Sequence, residues 1–167
     1  MSCPLLPLLS VMWTVTAAPP TRAGVEWLRE TVPLAALTPS GTLEATVDSR
    51  AETLVLTLST EGLTSPTRRF EVEVRLALRE IDASRVRVVA FGDRASVTLH
   101  ALRPEGFTVV RRSSAPCTGG ICPWEGEVTD TLGRYDLVFR DETTARRIAR
   151  EFRRVGWEAS SCVLRGP

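Results

Sequence analysis

The sequence predicts an α+β protein that is mostly β, an antiparallel sandwich or open barrel of about seven short strands closed by one C-terminal amphipathic helix. Three observations predict it. Apolar and polar residues alternate with period two through most of the stretch from Gly41 to Phe139. Turn residues such as Gly92-Asp93 and Asp48-Ser49-Arg50 separate the alternating runs. After Tyr135-Asp136-Leu137-Val138-Phe139-Arg140 the period changes to that of a helix.

Residues 18–40 read as a linker, Pro19-Pro20-Thr21, followed by a short helical lead-in in which Val25 to Glu30 makes one or two turns before Pro33. Val25, Trp27 and Leu28 rest on the domain, with Trp27 as packing rather than a ligand anchor. Thr42 to Val47 is a strand, and Leu54, Leu56 and Leu58 mark the next; Glu61 to Thr67, with Gly62 and Pro66, is a loop. In the clearest strand Phe70, Val72, Val74, Leu76 and Leu78 point one way and Glu71, Glu73, Arg75, Ala77 and Arg79 the other, which describes a sheet with one wet face. Ile81 to Ser84 breaks the run. Val86 to Phe91 and Ser96 to Leu102 form a hairpin, and Phe107 to Arg112 and Glu127 to Thr131 flank a loop that holds Cys117 and Cys122.

The helix carries its own signals. Asp141 caps it, Ala145, Ile148, Ala149, Phe152 and Val155 form its apolar stripe, and Gly156 is the expected stop, leaving residues 159–167 as a tail. Asp141 and Glu142 at the start and Arg153 and Arg154 near the end suit the helix dipole.

Two segments carry a resemblance. Leu78-Arg79-Glu80-Ile81-Asp82-Ala83-Ser84-Arg85-Val86 is similar to a strand ending in an L-x-x-I run before the next strand, and Tyr135 to Val155 looks like a last strand with its closing helix. On these the chain resembles the pleckstrin-homology-like fold from Gly41 to Trp157, within a domain of residues 41–158. The resemblance implies fold alone. The loop Asp48 to Ala51 lacks the basic cluster that such proteins use for inositol phosphates, and Phe152 stands where they often have tryptophan.

At 167 residues, 43% of them hydrophobic and 25% charged, the chain suits one domain with extensions. A net charge of +1 gives no field to draw nucleic acid. All 21 cationic residues are arginine, and Lys, Asn and Gln are absent, which we read as the bias of a GC-rich, bacterial genome. Met1 to Thr21 has no charged side chain, and the apolar run Leu5 to Val15 leads to small residues suited to cleavage after Ala17. Residues 1–17 therefore read as a cleavable signal peptide, and the expected location is secreted or periplasmic.

Removal of that segment leaves Cys117, Cys122 and Cys162. In an oxidising compartment Cys117 and Cys122 are suited to a local disulfide, since Gly119 and Gly120 let a short ring close. Cys162 is then unpaired. A zinc site would need these three cysteines together with His100, the only histidine, which lies within a strand; no metal or cofactor is expected. His100 as a lone histidine also limits general-base chemistry. The chain has no Gly-x-Ser-x-Gly, no His-Glu-x-x-His and no phosphate-cradling glycine loop, and carboxylate pairs such as Glu125 with Glu127 or Asp136 with Asp141 arise readily by chance. An enzyme, a hydrolase or a thiol or metal protein, is the second reading.

Two surfaces remain for binding. The loop Pro116 to Glu125 is the favoured one: Trp124 beside Pro123 either presents a rigid aromatic or tucks over the disulfide. Arg146, Arg150 and Arg153, with Arg147 and Arg154 and with Arg111 and Arg112 nearby, can form a basic strip for phosphate groups of lipid, although a solvated helix face accounts for them as well. The first reading is an exported, non-catalytic binding or structural module of the cell envelope, with a protein or envelope ligand as partner and anionic lipid less favoured.

Overall fold

The computed structural model describes residues 22–38, 41–61, 68–119 and 121–163; the expected signal peptide lies outside them. Helix α1 (Arg22–Ala35) is followed by β1 (Thr42–Asp48), β2 (Thr53–Glu61) and β3 (Arg69–Ala77), then by two single turns of tight helix at Leu78–Glu80 and Ala83–Arg85. Strands β4 (Arg87–Phe91), β5 (Arg94–His100), β6 (Phe107–Ser114), β7 (Trp124–Leu132) and β8 (Arg134–Phe139) lead into α2 (Glu142–Val163).

Two antiparallel sheets result, one ordered β1-β2-β3-β6-β7 and one ordered β4-β5-β8. They do not close into a barrel. Turn chemistry and alternation account for the pairing. Gly92, with φ +64°, closes the two-residue β4–β5 turn, and Phe91 lies opposite Arg94. Leu54, Leu56, Val74, Leu76, Phe107 and Val109 share the inner face of the large sheet, while Ala95, Val97, Leu99, Leu137 and Phe139 line that of the small one. Both faces meet Ala145, Ile148, Ala149, Phe152, Val155 and Ala159 of α2 in one core. The outer face of the large sheet is wet and laced by arginine: Arg112 reaches Glu71, Glu73 and Glu127 at 3.0, 3.3 and 2.7 Å.

Three expectations about element boundaries are corrected. The lead-in is the 14-residue α1, with Pro33 inside its last turn. Burial of Val25, Leu28 and Val32 in the common core carries the helix through a proline that costs about 3 kcal/mol in an isolated one. Gly156 does not stop α2, which runs on to Val163 and takes in residues 159–163 of the expected tail. The glycine instead permits close packing: a Cβ there would sit 3.2 Å from Cβ and Cγ2 of the buried Ile81. Strand β7 also begins earlier than expected, at Trp124.

The helix start is as read. Asp141 accepts the Thr144 backbone N–H at 2.7 Å, and that bond, with the Thr144 hydroxyl, holds its carboxyl below the usual range.

Candidate functional site

Because Arg146, Arg150 and Arg153 are spaced i, i+4 and i+7, they share one exposed side of α2 that flanks its buried stripe. That face looks onto β4, which is an edge strand of the small sheet. The result is a cleft of about 390 Å³ lined by Arg87, Val88 and Val89 of β4 and by Arg146, Arg150 and Arg153 of α2. Four guanidinium groups thus border one cleft, with no carboxylate among the described lining residues.

Each arginine is held differently. Arg153 donates from Nε and Nη2 to the Val86 carbonyl at 3.2 and 2.8 Å, which ties α2 to the sheet at the start of β4. Arg146 is paired with Glu142 one turn earlier, its Nε 2.7 Å from the carboxylate. Arg150 and Arg87 have no hydrogen-bonded or ion-paired partner among the described residues. On the far side of α2, Arg147 lies over the Trp27 ring at 4.8 Å; both line a second groove, between α1 and α2, that shares Arg150 with the cleft. Arg111 and Arg112 do not join this strip, since they lie on the large sheet and are paired with Asp130 and with Glu71, Glu73 and Glu127.

Beside the cleft, the outer face of the small sheet carries a further set of charges. Arg87, Thr98 and Asp136 lie in one cross-strand row, and His100 and Arg134 in the next. Asp136 accepts from the Thr98 hydroxyl at 2.5 Å and from Arg134 at 3.0 Å. His100 is half-buried there, and its pKa is lowered by desolvation and then by Arg85, Arg134 and Arg87, with Asp136 acting the other way. The unfolded chain therefore takes up a proton that the folded chain releases. His100 contributes its full stability above its ordinary pKa of 6.5, and the contribution is lost as the pH falls from there toward the folded-state value. Denaturant titrations at about pH 7.5 and about pH 5 should show a larger loss in the native protein than in His100→Gln, and equal losses would refute this account.

The other expected residues lie elsewhere. Cys117 and Cys122 form a disulfide with a Cα–Cα distance of 4.2 Å at the tip of the β6–β7 hairpin. Thr118 and Ile121 exchange backbone hydrogen bonds at 2.9 and 3.1 Å around Gly119, with φ +59°, so the cysteines occupy the adjoining pair of positions. Breaking the disulfide, by reduction or by Cys117→Ser with Cys122→Ser, should cost about 2 kcal/mol of unfolding free energy on the loop-entropy account; a denaturant midpoint unmoved by reduction would refute that figure. Trp124 is 46% exposed and Ile121 71% exposed beside it, so the aromatic is presented rather than tucked away.

His100 and the disulfide are on different sheets. Among the described residues no three of His, Cys, Asp and Glu are grouped to hold a metal ion. Cys162 lies in the last turn of α2, and its side chain is outside the described residues. The carboxylate pairs are engaged in the fold: Glu125 faces Arg68 at 3.8 Å, Glu127 bonds Arg112, Asp136 bonds Arg134, and Asp141 caps α2. No described helix is long and apolar enough to cross a membrane.

The residue that sequence reasoning missed is Arg87. Its signal is the alternation Arg85-Val86-Arg87-Val88, which marks it as outward-facing, but its meeting with α2 depends on the strand's place at the sheet edge. Fold and site together define a mostly β, disulfide-bearing protein with an arginine-lined cleft between an edge strand and its last helix. Compared with protein-family models, curated proteins and solved structures, the chain matches none.

Proposed function

We propose that the protein is a non-catalytic binding module of the bacterial envelope or exterior that takes anionic groups of a partner into the cleft between β4 and α2. The observation that carries this reading is the convergence of Arg87, Arg146, Arg150 and Arg153 on one concave surface. Guanidinium groups present paired N–H donors that match carboxylate and phosphate oxygens, and the low-dielectric walls of a concave site leave their field less screened by solvent than an open face would. The disulfide and the apolar leader support export.

The test is calorimetric titration with inorganic triphosphate at low salt, compared with Arg150→Glu. The native protein should bind, with affinity falling as salt rises, and the charge reversal should weaken binding roughly tenfold or more. Arg150 is exposed on α2, so the variant folds, and a thermal melt checks this. Equal binding by the two proteins, or none by the native one, would sink the proposal.

A further inference from the structure

The cleft is one end of a longer cationic track. Arg87 belongs to two groups of charges at once. It walls the cleft with Arg146, Arg150 and Arg153, and its charge also acts on His100 together with Arg85 and Arg134. Register explains how. On the outer face of the small sheet Arg87 stands in the row of Thr98 and Asp136, and the His100–Arg134 row lies two residues along, about 7 Å away on strand geometry. Arg85 ends the short turn of helix that precedes β4. From α2 across the edge of β4 to β8 the surface therefore presents Arg146, Arg150, Arg153, Arg87, Arg85 and Arg134. The described carboxylates bonded to members of this track are Glu142, on Arg146, and Asp136, on Arg134.

A compact anion confined to the cleft would leave the far half of the track unused. We propose that the ligand is a linear polyanion, a flexible chain of repeated phosphate, sulfate or carboxylate groups, that occupies the cleft and continues past Arg87 along the outer face of the small sheet to Arg85, His100 and Arg134. This rests on the cleft being an anion site. The proposal adds the chain-like character of the ligand and the second half of its path.

The second half has a distinctive property. His100 is surrounded by Arg85 from the preceding turn, Arg87 from β4, and Arg134 and Asp136 from β8. Desolvation and then these three cations lower its pKa in the free protein, and a row of anions laid over the cations acts the other way. Binding of a long chain thus takes up a proton, and affinity rises as the pH falls through the histidine range. A short anion confined to the cleft lacks this dependence.

Inorganic triphosphate and long-chain inorganic polyphosphate, titrated at about pH 5.5 and about pH 7.5, test the proposal. The long chain should bind roughly a hundredfold tighter than triphosphate, as joining two weak sites allows, and the advantage should be greater at the lower pH. Arg85→Ala with Arg134→Ala should abolish most of the advantage and leave triphosphate binding unchanged. His100→Gln should reduce its pH dependence to the part that comes from the terminal phosphates, which themselves ionise with a pKa of about 6. These residues line the surface, and a thermal melt verifies that each variant is folded. Dextran sulfate and poly-glutamate in parallel titrations separate phosphate, sulfate and carboxylate chains as sources of the anions. Equal affinity for short and long chains, or a long-chain advantage untouched by the double variant, would overturn the track while leaving the cleft intact. Failure of triphosphate and polyphosphate alike would overturn the cleft itself.

Discussion

Phe152→Ala will lower the unfolding free energy by about 3–5 kcal/mol, the cost of emptying a fully packed aromatic site. Phe152 is completely buried on the inner stripe of α2, in the same core as Leu99 of the small sheet and Phe107 of the large one. The residue therefore belongs to the packing that holds both sheets to the helix, and a void there cannot be filled by moving one element alone. Domains of this size have only about 5–15 kcal/mol in hand, so the variant should be near the limit of folding at ambient temperature. Denaturant titration followed by circular dichroism checks this. A midpoint close to that of the native protein would show that the core collapses around the missing ring.

Gly156→Val will destabilise the fold by about 2–3 kcal/mol, although valine has the better helix propensity. The reason is steric. A Cβ at this position lies 3.2 Å from two side-chain carbons of Ile81 and 3.3 Å from the Ile81 carbonyl oxygen. Ile81 cannot yield easily: it is 1% exposed, its N–H bonds the Leu78 carbonyl, and it bridges to Ala101. Any branched side chain at 156 must push α2 away from the turn that precedes β4, and Arg153, one helical turn earlier, holds the Val86 carbonyl there. Gly156→Val should thus also weaken triphosphate binding in the cleft. Normal stability with normal binding would show that the helix has room to shift.

These two positions show how far the sequence was legible. Phe152 was readable because it falls on a 3.6-residue stripe that excludes charge. Gly156 was misread, since a glycine after the last large apolar residue looks like a helix stop until its neighbour is known. Pro33 misled in the same way: its local cost is real, and burial of Leu28 and Val32 exceeds it. For the site, the helical spacing of Arg146, Arg150 and Arg153 was visible, whereas their meeting with Arg87 was not, because 59 residues or more separate the two segments in sequence. The Cys117–Cys122 pairing was legible from the two cysteines and the glycines between them, whereas the choice between a presented and a tucked Trp124 was left open by the sequence; the loop stands apart from the arginines, in the other sheet.

By itself the sequence determined the elements whose causes are local: period-two strands, a Gly-Asp hairpin turn, an Asp-capped amphipathic helix and a short Cys-Cys ring. Each rests on sterics, hydrogen bonding or burial within a few residues. Only the tertiary structure decided which strand lies at an edge, how closely α2 approaches Ile81, and which of 21 arginines share a surface. Those are long-range facts, set by how two sheets and two helices bury their apolar faces together, and no local pattern encodes them.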